Sequence, residues 1–144
     1  MAFSGNFMCT SFKTELLKGI HNFTAASNVF KLALYTNSAS FNAATTAYTS
    51  GNEVNGTNYT AKGNAITTVT PTSASTTAFV DANDVVFSNV TISAVRGALF
   101  YNEAASGDPT VAVLDFGSDK AASAGDFTVV MPTGDASNAI IRIA

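Results

Sequence analysis

Short apolar runs with a period of two fill most of the chain after residue 29, and they constrain its fold more than any other feature. In the segment 30–36, Phe30, Leu32 and Leu34 share one face of an extended chain and the residues between them share the other, which predicts a strand with one buried face. Similar β-branched or aromatic runs, each bounded by turn residues, are 65–70, 77–81, 84–87, 90–94, 96–101, 110–116, 127–131 and 139–143.

The spacing of these runs predicts the fold class. They recur every ten to fifteen residues or so with no helical segment between them, which is typical of antiparallel sheets and not of a parallel α/β sheet. We therefore predict an all-β fold of about seven to nine short strands, an antiparallel β-sandwich that is jelly-roll-like in its general form. Leu34 and Leu114 are expected in its core. The segment 37–64 is rich in Ser, Thr, Asn and Gly and predicts a long surface loop with short strands at 46–49 and near Tyr59.

One short amphipathic helix is predicted before the strands, over residues 11–22. Ser11 is a plausible N-cap and Gly19 lies near the end. His21 is expected at the C-terminal end in a structural role, because no carboxylate or second His accompanies it in sequence. The residues that fall on one helical face are Phe12, Leu16, Leu17, Ile20 and Phe23.

The length of the chain fits one domain. We predict an N-terminal arm over residues 1–10 and a single β-sandwich domain over residues 11–144, which includes the helix. The N-terminus has no basic region followed by an apolar stretch, so no secretory signal is expected, and the product is expected to stay in the cytoplasm where it is made.

Charge is scarce, and this scarcity excludes several classes of function. Only 12% of the residues are charged, against an average of about 25% in soluble domains, and the chain has one His and one Cys. Such a chain has little equipment for acid-base, nucleophilic or metal chemistry, so we predict no enzyme, no catalytic or metal-binding residues and no cofactor. The net charge of −3 and the scattered basic residues argue against nucleic acid as a partner. The apolar runs are too short for a membrane span.

Three small features are candidate chemical sites. Asp81 with Asp84, and Asp115 with Asp119, are the nearest acidic pairs and offer oxygen ligands of the kind that Ca²⁺ takes, but neither has an EF-hand pattern. Cys9 has no adjacent basic residue to lower its pKa, so a packed thiol is expected. None of the three predicts a site.

Five stretches resemble a family of small virion structural proteins of tailed bacteriophages, of the type found in phages of cyanobacteria and marine bacteria. The resemblance runs through nearly the whole chain, to its last residues 139–144. The stretches are CTSFKTELLKGIHNF (9–23), FKLALYT (30–36), NEVNGTNYTAKGN (52–64), RGALFYN (96–102) and VAVLDFGSDK (111–120).

The resemblance implies a particle component, and the expected function is that of a capsid decoration, or cement, protein on the capsid surface of the virion. Its partners would be the major capsid protein and other copies of itself, as a homo-oligomer that is a trimer or a dimer. The arm over residues 1–10 would lay Phe3, Phe7 and Met8 into a groove on the shell or on a neighbouring subunit. An ordinary frayed terminus with some packing is the alternative for this segment.

Two other functions are kept open. The first is a tail or fibre component with a carbohydrate-binding face, for which exposed Tyr48 and Tyr59 in the Thr/Asn-rich loop would suit sugar stacking and hydrogen bonding. The second is an enzyme acting on cell-wall sugars, for which only scattered Asp and Glu residues are present.

Overall fold

The computed structural model describes residues 3–144 and, within that range, contains one helix and eight strands in two antiparallel sheets. The all-β, sandwich-like fold with one short helix is confirmed. The elements are β1 (Phe7–Met8), α1 (Thr10–Leu17), β2 (Phe30–Thr36), β3 (Asn64–Ile66), β4 (Thr72–Ala74), β5 (Thr77–Val80), β6 (Val85–Asn102), β7 (Thr110–Val129) and β8 (Ile141–Ile143). The strand order is β1-β7-β6-β2-β3 in the larger sheet and β4-β5-β8 in the smaller.

Two long strands, β6 and β7, dominate the fold. They have 18 and 20 residues and pair with each other as an antiparallel hairpin. The three short strands predicted over 84–87, 90–94 and 96–101 are in fact one strand, and the runs 110–116 and 127–131 lie at the two ends of another. The residues between these runs were predicted as turns. That prediction was wrong because a β-bulge lets a strand continue through residue types that also form turns.

The β6–β7 hairpin bends back on itself. Phe116 and Phe127 lie eleven positions apart on β7, and a straight strand would separate them by about 36 Å. Their ring centroids are 6.2 Å apart. The bend is marked by a large irregularity in register, since Gly97 pairs with Asp115 whereas Val95 pairs with Lys120.

Bulges account for this curvature. Within the two strands β6 and β7, four residues have positive φ angles, namely Asn89 (51°), Ala94 (54°), Gly117 (73°) and Ala124 (46°). Glycine adopts this conformation freely, but in alanine it costs roughly 1–2 kcal/mol per residue. The bend is therefore maintained by the packing inside it.

Tyr59 connects the bent hairpin to β2. Its ring stacks on Phe87 of β6 at 5.6 Å, and its hydroxyl oxygen accepts a hydrogen bond from the Leu34 N–H of β2 at 3.0 Å. Phe87 is buried. This side chain from the long loop thus fills the interior of the bend.

Both faces of β2 are buried, in contrast to the single buried face predicted for it. On one face, Phe30 stacks on Phe23 at 4.4 Å and meets Phe100 edge-on at 5.6 Å. On the other face, Tyr35 meets Phe41 edge-on at 4.6 Å. The alternating pattern of apolar residues in the sequence predicted burial on one face only. β2 lies between β6 and β3 in the sheet. The segment after α1 covers one of its faces, and the long loop covers the other.

The helix is shorter than predicted. It ends at Leu17, and Gly19 follows with a φ of 71°, a left-handed conformation that suits the end of a helix. Leu17 is 91% exposed, and Ile20 is exposed outside the helix. The predicted apolar face is therefore wrong beyond Leu16, and Phe12 is the one fully buried residue of α1.

The loop over residues 37–62 contains isolated bridges where short strands were predicted. Ala47 bridges Pro109 and Thr57 bridges Thr91, but neither extends into a strand. Among the described residues this loop lies against the face of the sheet that carries Tyr35 and Tyr101, through hydrogen bonds from the Tyr35 hydroxyl to the Thr49 carbonyl (2.6 Å) and from the Tyr101 hydroxyl to the Lys62 carbonyl (2.8 Å).

Truncation of two leucines tests this assignment of the core. Leu34 is fully buried, so Leu34→Ala is expected to lower the free energy of unfolding by about 2–5 kcal/mol. Leu114 is only half-buried, contrary to the core position predicted for it, and Leu114→Ala is expected to cost clearly less. Urea unfolding followed by circular dichroism measures both, and equal losses would contradict the assignment.

Candidate interaction surface

The N-terminal segment, predicted as a separate arm, is attached to the sheet over its described residues. Phe7 and Met8 form β1 and pair with Val113 and Ala112 at the edge of β7. The Asn6 side-chain oxygen also accepts a hydrogen bond from the Asp115 N–H at 2.7 Å. The backbone of this segment thus completes the edge of its own domain, while Met1 and Ala2 lie outside the described residues.

Phe3 belongs to the core. It is buried, and its ring meets Phe41 edge-on at 5.8 Å. It lies over Gly97, where a Cβ atom would come within 2.5 Å of the Phe3 ring. Gly97 thus provides the space for this ring, and Phe3 is not available as the exposed anchor for a partner that was predicted. Phe7 and Met8 are half-buried and line a surface groove described below.

Tyr48 and Tyr59, predicted as an exposed sugar-binding pair, are half-buried and bind the same carboxylate. The Tyr48 hydroxyl donates to Glu53 Oε2 at 2.6 Å, and the Tyr59 hydroxyl donates to Glu53 Oε1 at 2.8 Å. The backbone N–H of Lys62 donates to the same Oε1 at 2.8 Å. The prediction of exposure was wrong because Glu53 lies between the two tyrosines in sequence and gathers their hydroxyl groups.

Lys62 extends this polar cluster to the loop after β6. Its Nζ lies 3.0 Å from Asp108 Oδ2 and 3.4 Å from Glu103 Oε1, and it sits 5.6 Å from the centre of the Tyr48 ring. The hydrogen bond to Asp108 raises the pKa of Lys62. The ring of Tyr48 in turn stacks on Tyr101 at 4.9 Å. These contacts fasten the long loop to the sheet.

His21 lies beyond the end of the helix, and a carboxylate, that of Glu15, accompanies it, contrary to the expectation from sequence that none would. It is buried, with Nε2 2.9 Å from Glu15 Oε2 and Nδ1 3.2 Å from Asn102 Nδ2. The side-chain oxygen Oδ1 of Asn102 accepts a hydrogen bond from the Ala104 N–H, which leaves the side-chain nitrogen Nδ2 to donate to Nδ1 of His21. The proton of neutral His21 is therefore on Nε2 and points to Glu15.

The other residues weighed as chemical sites have local partners. Cys9 is fully buried, and burial raises the pKa of its thiol. Asp84 accepts from the Met131 N–H at 2.8 Å, and Asp119 lies 3.2 Å from Arg96 Nε. Within residues 3–144, no group of three or more His, Cys, Asp or Glu side chains is placed to hold a metal ion.

Four adjoining grooves with largely apolar linings lie on the surface. The first lies between α1 and the smaller sheet, next to Phe12, Phe79 and Ile143, and has a volume of about 120 Å³. It adjoins a second groove of about 120 Å³ at Ile141, which continues into a third of about 350 Å³ at Leu114. Together with a fourth groove, described next, these three form what we call the apolar band.

The fourth groove, of about 470 Å³, lies along β7 between Phe116 and Phe127. It shares Phe116, Val129 and Val130 with the third groove. Val130 is 73% exposed, although it is a large apolar residue. These adjoining grooves, with the exposed Val130 side chain in their walls, are the candidate interaction surface.

One charge of each sign lies beside these last two grooves. Lys120 lines the fourth groove and Asp115 lines the third. Neither forms an ion pair with another residue in the part of the chain that the structure describes.

Sequence reasoning missed this surface because the apolar residues of β7 were assigned to the core. The sequence feature that could have indicated the surface is the consecutive pair Val129 and Val130. Neighbouring side chains on an extended chain point to opposite faces, so only one of the two can face the core.

Comparisons of the chain with models of known protein families, with curated proteins and with solved structures find no match. Among residues 3–144, no helix has the length and apolar character needed to cross a membrane.

Replacement of Phe3 tests its place in the core. Phe3→Ala is expected to lower the free energy of unfolding by about 3 kcal/mol, because it empties the space over Gly97. The exposed neighbour Ser4 provides the control, and Ser4→Ala is expected to change the same quantity by less than about 0.5 kcal/mol. Equal stability of the Phe3 and Ser4 variants in urea unfolding would indicate that the segment is a free arm after all.

Alkaline unfolding tests the tyrosine cluster. Burial, with the nearby Glu53 carboxylate, raises the pKa of Tyr35, Tyr48 and Tyr59, and burial with the Glu103 carboxylate raises that of Tyr101. The folded chain therefore holds these protons where the unfolded chain, with tyrosine pKa values near 10, releases them. The stability that they contribute is fully present below about pH 10 and is lost as the pH rises above it.

The measurement is the ultraviolet absorbance of tyrosinate, recorded with circular dichroism during a pH titration. We expect tyrosinate to appear together with unfolding. Glu53→Gln removes one negative charge and is expected to let ionisation begin at lower pH. Tyrosinate forming in the folded chain near pH 10 would contradict the cluster as described.

Proposed function

We propose that this protein is a non-enzymatic structural protein of a tailed-phage virion, a capsid decoration protein that binds the outer face of the capsid shell as a homo-oligomer. We include in this proposal the expectation, drawn from the residues alone, that the chain resembles small structural proteins of phage virions. Its partners are then the major capsid protein and further copies of itself, and its place is the capsid surface.

The apolar band carries this proposal. Four adjoining grooves with largely apolar linings give the domain a surface against which another protein can pack. A protein that bridges capsid subunits needs such a surface, because it must contact the shell and its own copies at once. With few charges on the chain, little free energy is lost in desolvating ions when these contacts form.

Symmetry strengthens contacts of this type. Each apolar contact contributes little alone, but a shell repeats it at every equivalent position, and an oligomer that binds through several copies gains avidity without any single strong site. Stabilisation of a shell against outward pressure requires many such contacts and no catalytic group.

No contact favours the alternative function of a tail or fibre component that binds carbohydrate. That hypothesis depended on exposed Tyr48 and Tyr59, and the hydroxyl groups of both bind Glu53. One face of the Tyr48 ring is stacked on Tyr101 and one face of the Tyr59 ring on Phe87, so the aromatic surface that a sugar would use is reduced.

Immunogold electron microscopy of intact virions, with antibody to this protein, tests the proposal. We expect dense label over the head, and a copy number by quantitative mass spectrometry that is comparable to that of the major capsid protein. Disrupted virions are labelled in parallel, so that an epitope hidden inside the particle is not mistaken for absence of the protein. Label confined to the tail would overturn the decoration function in favour of the tail, and no label in either sample would overturn a virion function altogether.

A further inference from the structure

We propose that the β7 part of the apolar band binds a second copy of this chain, in a dimer with two-fold symmetry. The inference rests on the homo-oligomer of the proposed function, and it names the surface and the symmetry. It does not depend on where in a virion the protein lies.

The bend in β7 opens this surface. On the outer side of β7, β1 pairs with Ala112 and Val113, the Cys9 N–H donates to the Val111 carbonyl, and the Asn6 side chain accepts from the Asp115 N–H. Beyond Asp115, no strand lies beside this edge among the described residues. The third groove, of about 350 Å³, lies where this covering ends, and the fourth, of about 470 Å³, lies beyond it. Half-buried aromatic rings, those of Phe116 and Phe127, line the opening. Water therefore reaches apolar surface that a partner would exclude.

The shape of the surface suits a copy of itself. Val130 lines both grooves and is largely exposed, so it is at once a protruding side chain and part of a cavity wall. A two-fold interface brings the same patch of each copy together, and what one copy inserts the other receives. Two copies related in this way bury both Val130 side chains against apolar grooves.

The charges are arranged in the same self-complementary way. Lys120 lines one groove and Asp115 the other, and the two grooves share Phe116, Val129 and Val130. A two-fold rotation reverses the order of the grooves, so the Lys120 of each copy faces the Asp115 of the other. Asp115 Oδ1 accepts a hydrogen bond from the Gly117 N–H at 2.9 Å, and Oδ2 has no hydrogen-bond partner in the described chain. An unlike partner would have to supply both charges itself, and for this reason we favour a second copy.

Side chains, and not a continuous intermolecular sheet, make this contact. Gly117 and Ala124 have positive φ angles and bulge the edge of β7, and bulges of this kind interrupt the row of backbone groups that another strand would need. The interface is then limited to one partner, because a bulged edge does not propagate pairing into longer aggregates.

Light scattering coupled to size-exclusion chromatography, with sedimentation equilibrium, tests the dimer on the purified full chain. We expect the wild type to be a dimer and Val130→Asp to be a monomer with an unchanged circular dichroism spectrum, since Val130 is exposed in the single chain. The matched control is Val29→Asp. Val29 is also an exposed valine, at 49%, but it lines none of the four grooves, so this variant is expected to remain a dimer.

A charge exchange tests the pairing of Lys120 with Asp115. Lys120→Glu places like charges opposite each other and is expected to raise the dimer dissociation constant about tenfold or more at low salt. Adding Asp115→Lys to the same chain restores opposite charges in both contacts and is expected to recover most of the affinity. Both residues lie at the surface, at least in part, so neither change removes a core side chain.

A wild type that stays monomeric at concentrations on the order of 100 µM would overturn the dimer. So would a dimer that Val130→Asp leaves intact, or one whose Lys120→Glu variant is not rescued by Asp115→Lys. A trimer would overturn the two-fold symmetry but leave the proposed homo-oligomer standing. Virion labelling decides the capsid function separately, so failure of one proposal is distinguishable from failure of the other.

Discussion

The bend in the β6–β7 hairpin is the constraint on which the rest of the structure depends. It brings Phe116 and Phe127 of one strand to within 6.2 Å of each other. The bend needs positive φ angles at Ala94 and Ala124, which are costly for alanine, and the aromatic packing against the bent hairpin offsets that cost. Tyr59 contributes to that packing from a distant loop, so the bend and the loop stabilise each other.

The two faces of the larger sheet are covered by different physical means. On one face, aromatic rings from Phe12 to Phe30 pack with His21 in a mainly apolar cluster. On the other, a long Ser/Thr/Asn-rich loop is held by a polar cluster centred on Glu53, whose carboxylate accepts three hydrogen bonds. A loop with few apolar residues cannot bury itself by the hydrophobic effect alone, and the partly buried carboxylate holds it to the sheet instead.

The same bend that closes the interior leaves the outer edge of β7 open. The short strand β1 pairs with only two residues of that edge, and the apolar side chains that line the bend reach the surface there. The candidate interaction surface is thus a consequence of how the fold is built. Its bulges limit strand-to-strand association, while its grooves and its opposite charges leave a specific contact available.

The sequence by itself determined the fold class, because alternating apolar residues between turn signals can bury one face only in sheets. It also indicated the packed thiol of Cys9. Only the tertiary structure decided that three predicted strands are one, that Phe3 belongs to the core, and that Tyr48 is bound to Glu53. It alone revealed the apolar band. Bends, covered faces and shared carboxylates depend on contacts between residues far apart in the chain, and a local pattern carries no information about which distant residues meet.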